Sequence, residues 1–221
     1  MLLRCGRSRQ ILFTHAELFV FEPGEEGYVV HDRADIPPEL VHAIRRNVST
    51  FAAVADCCAP TTVLTADEGP GSQYVPGTIL LDSGEIWASA YHLLDHVPSR
   101  KIIFAAELRR RGRPPTSREL DWGAWRAAAI RIHGHEFGHH LLDASVLSTP
   151  YGDGEAGADW VAGFLDGWFA RSETIGARLF YKIGCNEKKC SHPPSIVRRN
   201  AYEDGWSSGA LARIQTVRKA A

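Results

Sequence analysis

His135-Glu136-Phe137-Gly138-His139 lies in a run whose apolar residues keep helical spacing on either side of it. Ala128, Ile132 and Leu142 fall on the same stripe as the two histidines. Residues four apart on a helix sit one above the other on one face, so both imidazoles project together from a side that otherwise looks inward. Glu136 projects beside them. H-E-x-x-H is the spacing at which such a pair grips one metal ion while the intervening Glu takes a proton from a water held there. A helix this dense in histidine (His133, His135, His139 and His140) is also compatible with exposed or hydrogen-bonded histidines that hold no metal.

Downstream, fifteen residues separate His139 from Glu155-Ala156-Gly157-Ala158-Asp159, two carboxylates one helical turn apart. Gly152-Asp153-Gly154 reads as the turn that brings a second helix, over 155–169, back against the first, with Asp153 as its N-cap. Glu155 then offers a third, anionic ligand and leaves one tetrahedral position for water, as a catalytic zinc site requires. Asp159 can hold the far ring nitrogen of a ligand histidine and fix its tautomer. Two solvated acids are the alternative, disfavoured by the close-packing surface of Ala156, Gly157 and Ala158. A last helix is expected over 195–204.

Upstream, Thr116 and Glu119 form a T-x-x-E capping box that opens the histidine helix, which should run to about residue 144 with Pro150 barring further extension. Before it, β-branched and aromatic residues over 11–21, a break at Glu22, Pro23, Gly24 and Gly27, and then Tyr28, Val29 and Val30 suggest a hairpin. Val41, Ile44, Val48 and Phe51 mark a helix over 39–55. Strands are expected at Thr61–Thr65 and Thr78–Asp82, separated by a turn-rich stretch over 67–73. Ile86, Ala90, Leu93 and Val97 mark another helix, and 99–111 a further one that Gly112, Pro114 and Pro115 end. The fold class is α+β in a single domain: a small, mostly antiparallel sheet from about 1–115, packed on the histidine helix, and a helical half over about 116–221.

The chain has 221 residues, 44% hydrophobic and 23% charged, which places it among globular proteins large enough to bury a core. A net charge of -1 excludes any whole-chain pull towards nucleic acid or an anionic membrane. The cluster Arg109, Arg110, Arg111 and Arg113 reads as a solvated helix end and loop, with a partner-binding patch as the alternative. No stretch has the length of a membrane span, and the Arg-bearing start is not followed by a clean apolar segment, so the expected compartment is the cytoplasm. Five cysteines, Cys57 and Cys58 adjacent among them, do not make a disulfide framework. Cys185 and Cys190, with His192 beyond, rank first as ordinary or redox-active thiols, ahead of a loop disulfide or a second metal site.

On these motifs the chain resembles the gluzincin metallopeptidases, which carry HExxH followed by ExxxD, and within them the bacterial M48-type and neutral zinc metallopeptidases. The likeness extends to Ala158-Asp-Trp-Val-Ala-Gly163, to Tyr74-Val-Pro-Gly-Thr-Ile-Leu-Leu-Asp82 and to His192-Pro-Pro-Ser-Ile-Val-Arg198. It departs at His133, where family members carry an apolar residue or Thr. The resemblance implies a zincin-like fold, Zn2+ as cofactor with His135, His139 and Glu155 as ligands, Glu136 as general base and Asp159 behind a ligand histidine. It implies that Thr78–Asp82 is a sheet edge on which an extended peptide pairs. His192 or Arg198 would lie near the site as oxyanion stabiliser or removable ligand, in competition with Tyr151, Tyr181 and Tyr202. The implied activity is that of a zinc metalloendopeptidase, hydrolysing peptide bonds of a peptide or protein substrate with zinc-activated water. Zinc follows from the His2Glu donor set and the resemblance together. Two alternatives stand beside this: a metal-binding regulatory or scaffold protein with a peptidase-like fold, and a metal-dependent amide hydrolase acting on a small substrate.

Overall fold

The computed structural model describes residues 17–21, 28–29, 38–55, 60–65, 71–94, 117–184 and 192–220. Strands β1 (Glu17–Phe21) and β2 (Tyr28–Val29) precede helix α1 (Pro38–Ala55). Then come β3 (Thr61–Thr65), β4 (Gln73–Val75), β5 (Thr78–Asp82) and helix α2 (Ser83–Leu94). Helices α3 (Ser117–Asp143), α4 (Glu155–Trp168), α5 (Glu173–Ile183) and α6 (Ser195–Ala220) complete the order. The class is α+β, as expected. No helix among the described residues is long and apolar enough to cross a membrane. The expected helix over 99–111, the Arg109 cluster, all five cysteines and the residues before Glu17 lie outside the described residues.

The strands form one sheet in the order β2-β1-β3-β5-β4. Three pairings are antiparallel and the central one, β3 with β5, is parallel. The expected hairpin is the β1–β2 pair. β5 is not the sheet edge: it lies between β3 and β4, and the edge on that side is the three-residue β4, which starts at the last residue of the stretch read as turn. The cause is a two-residue hairpin, Pro76-Gly77, in which Gly77 takes φ +84°, a left-handed conformation that suits glycine and reverses the chain within two residues.

α3 runs through the centre. Leu40, Ile44, Val48 and Phe51 of α1 recur at helical spacing, are all buried, and meet Ala128, Ile132 and Phe137 of α3 in the main core. Phe51 stacks on Phe137 with centroids 4.0 Å apart and meets the His133 ring edge-on. Leu64, Ile79 and Leu81 of the sheet and Ile86, Ala90 and Leu93 of α2 belong to the same core. Burying side chains of this size is worth about 1.5–3 kcal/mol each, enough to hold a helix of modest intrinsic propensity.

The helical half packs by backbone contact. A Cβ on Gly163 or Gly167 of α4 would overlap the Tyr202 or Trp206 carbonyl oxygen of α6, and a Cβ on Gly205 or Gly209 of α6 would overlap that of Trp160 or Phe164. Beside this contact Asp166 of α4 accepts from Tyr202 at 2.6 Å and from Arg131 of α3 at 2.8 Å, a buried joint between three helices. α6 accordingly runs far past residue 204, where the sequence expectation stopped. α5 was not anticipated, and Gly154 rather than Asp153 occupies the N-cap position of α4, with no side-chain cap.

Candidate metal centre

His135 and His139 lie one turn apart on α3, on the face that meets the start of α4. What lets α4 come so near is Gly138: a Cβ there would stand 2.8 Å from the Ala158 carbonyl oxygen. Glu155, in the first turn of α4, is thereby carried over both imidazoles. Nε2 of His135 and Nε2 of His139 are 3.2 Å apart, and the Glu155 carboxylate stands 3.3 Å from the first and 3.4 Å from the second. One donor atom from each residue lies within 4.8 Å of the others, so this cluster can hold a metal ion.

Two features of the chain bear on the fit. Donors placed tetrahedrally around an ion at ~2.0–2.1 Å stand roughly 3.3 Å from one another, which is the spacing of these three groups. Further, Oε2 of Glu155 is buried and accepts no hydrogen bond, although nitrogens of His135, His192 and Arg198 stand 3.3, 3.5 and 3.9 Å from it. A buried, unsatisfied carboxylate oxygen facing two imidazole nitrogens suits a cation between them. The donor set, two nitrogens and a carboxylate, suits zinc among other divalent ions.

Behind the cluster, Asp159 faces Nδ1 of His135 at 2.8 Å. Arg198 of α6 donates to Asp159 from both Nε and an NH2 group, each at 2.7 Å, and Asp159 is fully buried. The His135 Nδ1–H is thus pledged to a carboxylate, leaving Nε2 bare towards the cluster. Burial pushes the His135 pKa down, but Asp159 and then Glu155 outweigh it and raise the value to about 10, so a proton occupies this site when no metal does. Burial would raise the Glu155 pKa, yet the two histidines hold it far below the carboxylate range. The Glu136 pKa is raised, chiefly by burial, with His135 and His139 pulling against it and Glu85 and Glu155 adding to it.

The cluster opens into a cavity of about 690 Å3 whose walls include Tyr74 of β4, Glu85 of α2, Glu136, Asp143, Asp153 and His192. His135, Glu136, His139, Glu155, His192 and Arg198 all line this cavity, and Asp159 lies directly behind His135. His192 is half exposed at its wall; Arg198 is only 2% exposed. The three tyrosines go elsewhere: Tyr151 donates to Asp204, Tyr202 to Asp166, and Tyr181 is exposed on α5 away from the cavity lining. His133 is seated inside the core, where its Nε2 lies 2.9 Å from the Thr62 hydroxyl and burial, then Arg171, pushes its pKa down to about 3.

Sequence reasoning missed Tyr74 and Glu85. The Tyr74 hydroxyl lies 3.3 Å from both His140 Nδ1 and Asp143 Oδ2, tying the edge strand to the end of α3. Glu85 had a readable signal in Asp82-Ser83-Gly84-Glu85, a D-x-x-E pattern at a helix start. In a full capping box Glu85 would reach back to the Asp82 N–H; here that N–H goes to Ser72 instead, and Glu85 accepts from the Ser72 backbone at 2.6 Å. Compared with protein-family models, with curated proteins and with solved structures, the chain matches none.

Proposed function

We propose that the protein is a zinc-dependent metallopeptidase of the gluzincin type, with a zincin-like fold and a peptide or protein substrate. The cytoplasm, expected from the sequence alone, goes with this reading as its compartment. The observation that carries it is the meeting of His135, His139 and Glu155 on one cavity wall with Glu136 beside them, buried yet without a hydrogen bond among the described residues. Zinc bound by those three residues would supply Lewis acidity and a water activated for attack. Glu136 takes the proton of the attacking water and delivers it to the leaving amine. Burial, which raises its pKa, makes its carboxylate a stronger base towards that water. His192, half exposed at the wall, would donate to the carbonyl oxygen as charge develops there. Arg198 acts through Asp159, holding the His135 ring. An extended peptide would pair with β4, an edge strand among the described residues.

The test is metal content measured together with hydrolysis of a quenched peptide, on wild type, Glu136→Gln and His135→Ala. The expected result is one zinc in wild type and Glu136→Gln, hydrolysis in wild type alone, and loss of metal in His135→Ala. Bound zinc without turnover in wild type would favour the regulatory scaffold, and no zinc would remove the basis of the reading.

A further inference from the structure

We propose that Glu85 is a specificity-determining residue that pairs with a positive charge on the substrate, an ammonium or a guanidinium. This rests on the peptidase reading and adds the class of peptide the cavity takes.

Glu85 is a built feature rather than a solvated surface acid. Asp82 Oδ1 accepts from the backbone of Gly84 and Glu85 at 2.8 and 3.1 Å and fixes the start of α2. The Asp82 N–H donates to the Ser72 hydroxyl at 3.0 Å, and the Ser72 N–H donates to Glu85 Oε2 at 2.6 Å. The carboxylate is thereby anchored through one oxygen at the wall shared with Glu136 and the metal-binding cluster. Among the described residues no Lys, Arg or His forms a salt bridge with it.

The charge around it is only partly compensated. Arg198 is the one Lys or Arg in the cavity lining, and both its hydrogen bonds go to buried Asp159. Glu85, Glu136 and Glu155 line the same cavity, where one divalent ion would balance only part of their charge, and Asp143 and Asp153 add further negative charge along the wall. Glu136, 6% exposed at the same wall, makes no hydrogen bond among the described residues. A carboxylate half removed from water and held in place attracts a cation and repels an anion more strongly than a solvated one. A side chain of Lys or Arg and the free amino terminus of a short peptide carry the same chemistry.

The experiment compares zinc-loaded wild type and Glu85→Gln on quenched peptides differing at single positions near the cleaved bond: Lys, norleucine or Glu, each with a free or an acetylated amino terminus. Expected for wild type is a preference of about tenfold or more in kcat/KM for the cationic peptide, expressed in KM and weakened by salt. In Glu85→Gln, which keeps an oxygen for the Ser72 N–H, that preference should collapse to within about threefold. Dependence on the Lys side chain or on the free terminus tells which cation Glu85 reads. Binding of the same peptides to zinc-loaded Glu136→Gln, followed by fluorescence anisotropy, measures the preference without turnover. Absence of hydrolysis with a Glu85-dependent binding preference would sink the peptidase reading alone. Hydrolysis or binding indifferent to charge, or a preference that survives Glu85→Gln, would overturn the role of Glu85.

Discussion

Arg198 and Asp159, thirty-nine residues apart, meet through two parallel hydrogen bonds of 2.7 Å in a place closed to solvent. Such a pair is costly to desolvate and costly to break, because the partner left behind is an unpaired buried charge. Its use here is to fix a carboxylate against His135 Nδ1. Asp159→Asn should keep the side-chain volume yet weaken zinc binding about 10–100-fold, as loss of an outer partner of a metal ligand does. Chelator competition measures this, and unchanged affinity would show Asp159 to be structural only.

Gly205→Ala places a methyl group into the Trp160 carbonyl oxygen. Backbone cannot give way as a flexible side chain does, so the variant should lose about 1–3 kcal/mol or more in denaturant unfolding. Because α6 carries Arg198, zinc affinity should fall with it. Stability lost without any change in affinity would separate the helix contact from the metal site.

His133 gives the fold an acid sensitivity. Its pKa in the folded chain, about 3, lies below the unfolded value of 6.5, so between these the unfolded state takes up a proton that the folded state refuses. Stability should therefore fall as pH drops below about 6.5, at up to ~1.4 kcal/mol per unit from this residue. Urea unfolding of the chelated protein at pH 7 and 4.5 should show a smaller acid loss in His133→Leu than in wild type. Parallel losses would place the sensitivity elsewhere.

His192→Ala should lower turnover about 100-fold with zinc content unchanged, if its ring donates to the developing oxyanion. A loss below about tenfold, read in kcat with a metal assay alongside, would remove that role.

The centre of the molecule was legible because its signals are local. Helical periodicity around His135 and His139, and the short return to Glu155 and Asp159, need only neighbouring residues to be read. What escaped depends on contacts distant in sequence. Gly205 and Gly209 argue against a long helix when taken singly, yet they extend α6 because α4 supplies glycines opposite them. β4 is three residues beside a Pro-Gly turn, too short to declare itself, and its existence moved the sheet edge away from β5. Glu85 takes its place at the cavity wall through a bond from the Ser72 backbone, thirteen residues before it, which no local pattern announces.

The crossing of α4 and α6 has a consequence for how the molecule assembles. Four glycines let two backbones touch, so there is no intervening side chain whose rotamers could accommodate a partly docked arrangement. The two helices are then either seated or apart, and seating is the event that delivers Arg198 to Asp159. Competence to bind metal would arrive in one step with the last helix, and a chain caught before that step would hold both histidines on a formed α3 yet lack the electrostatic backing that orients them.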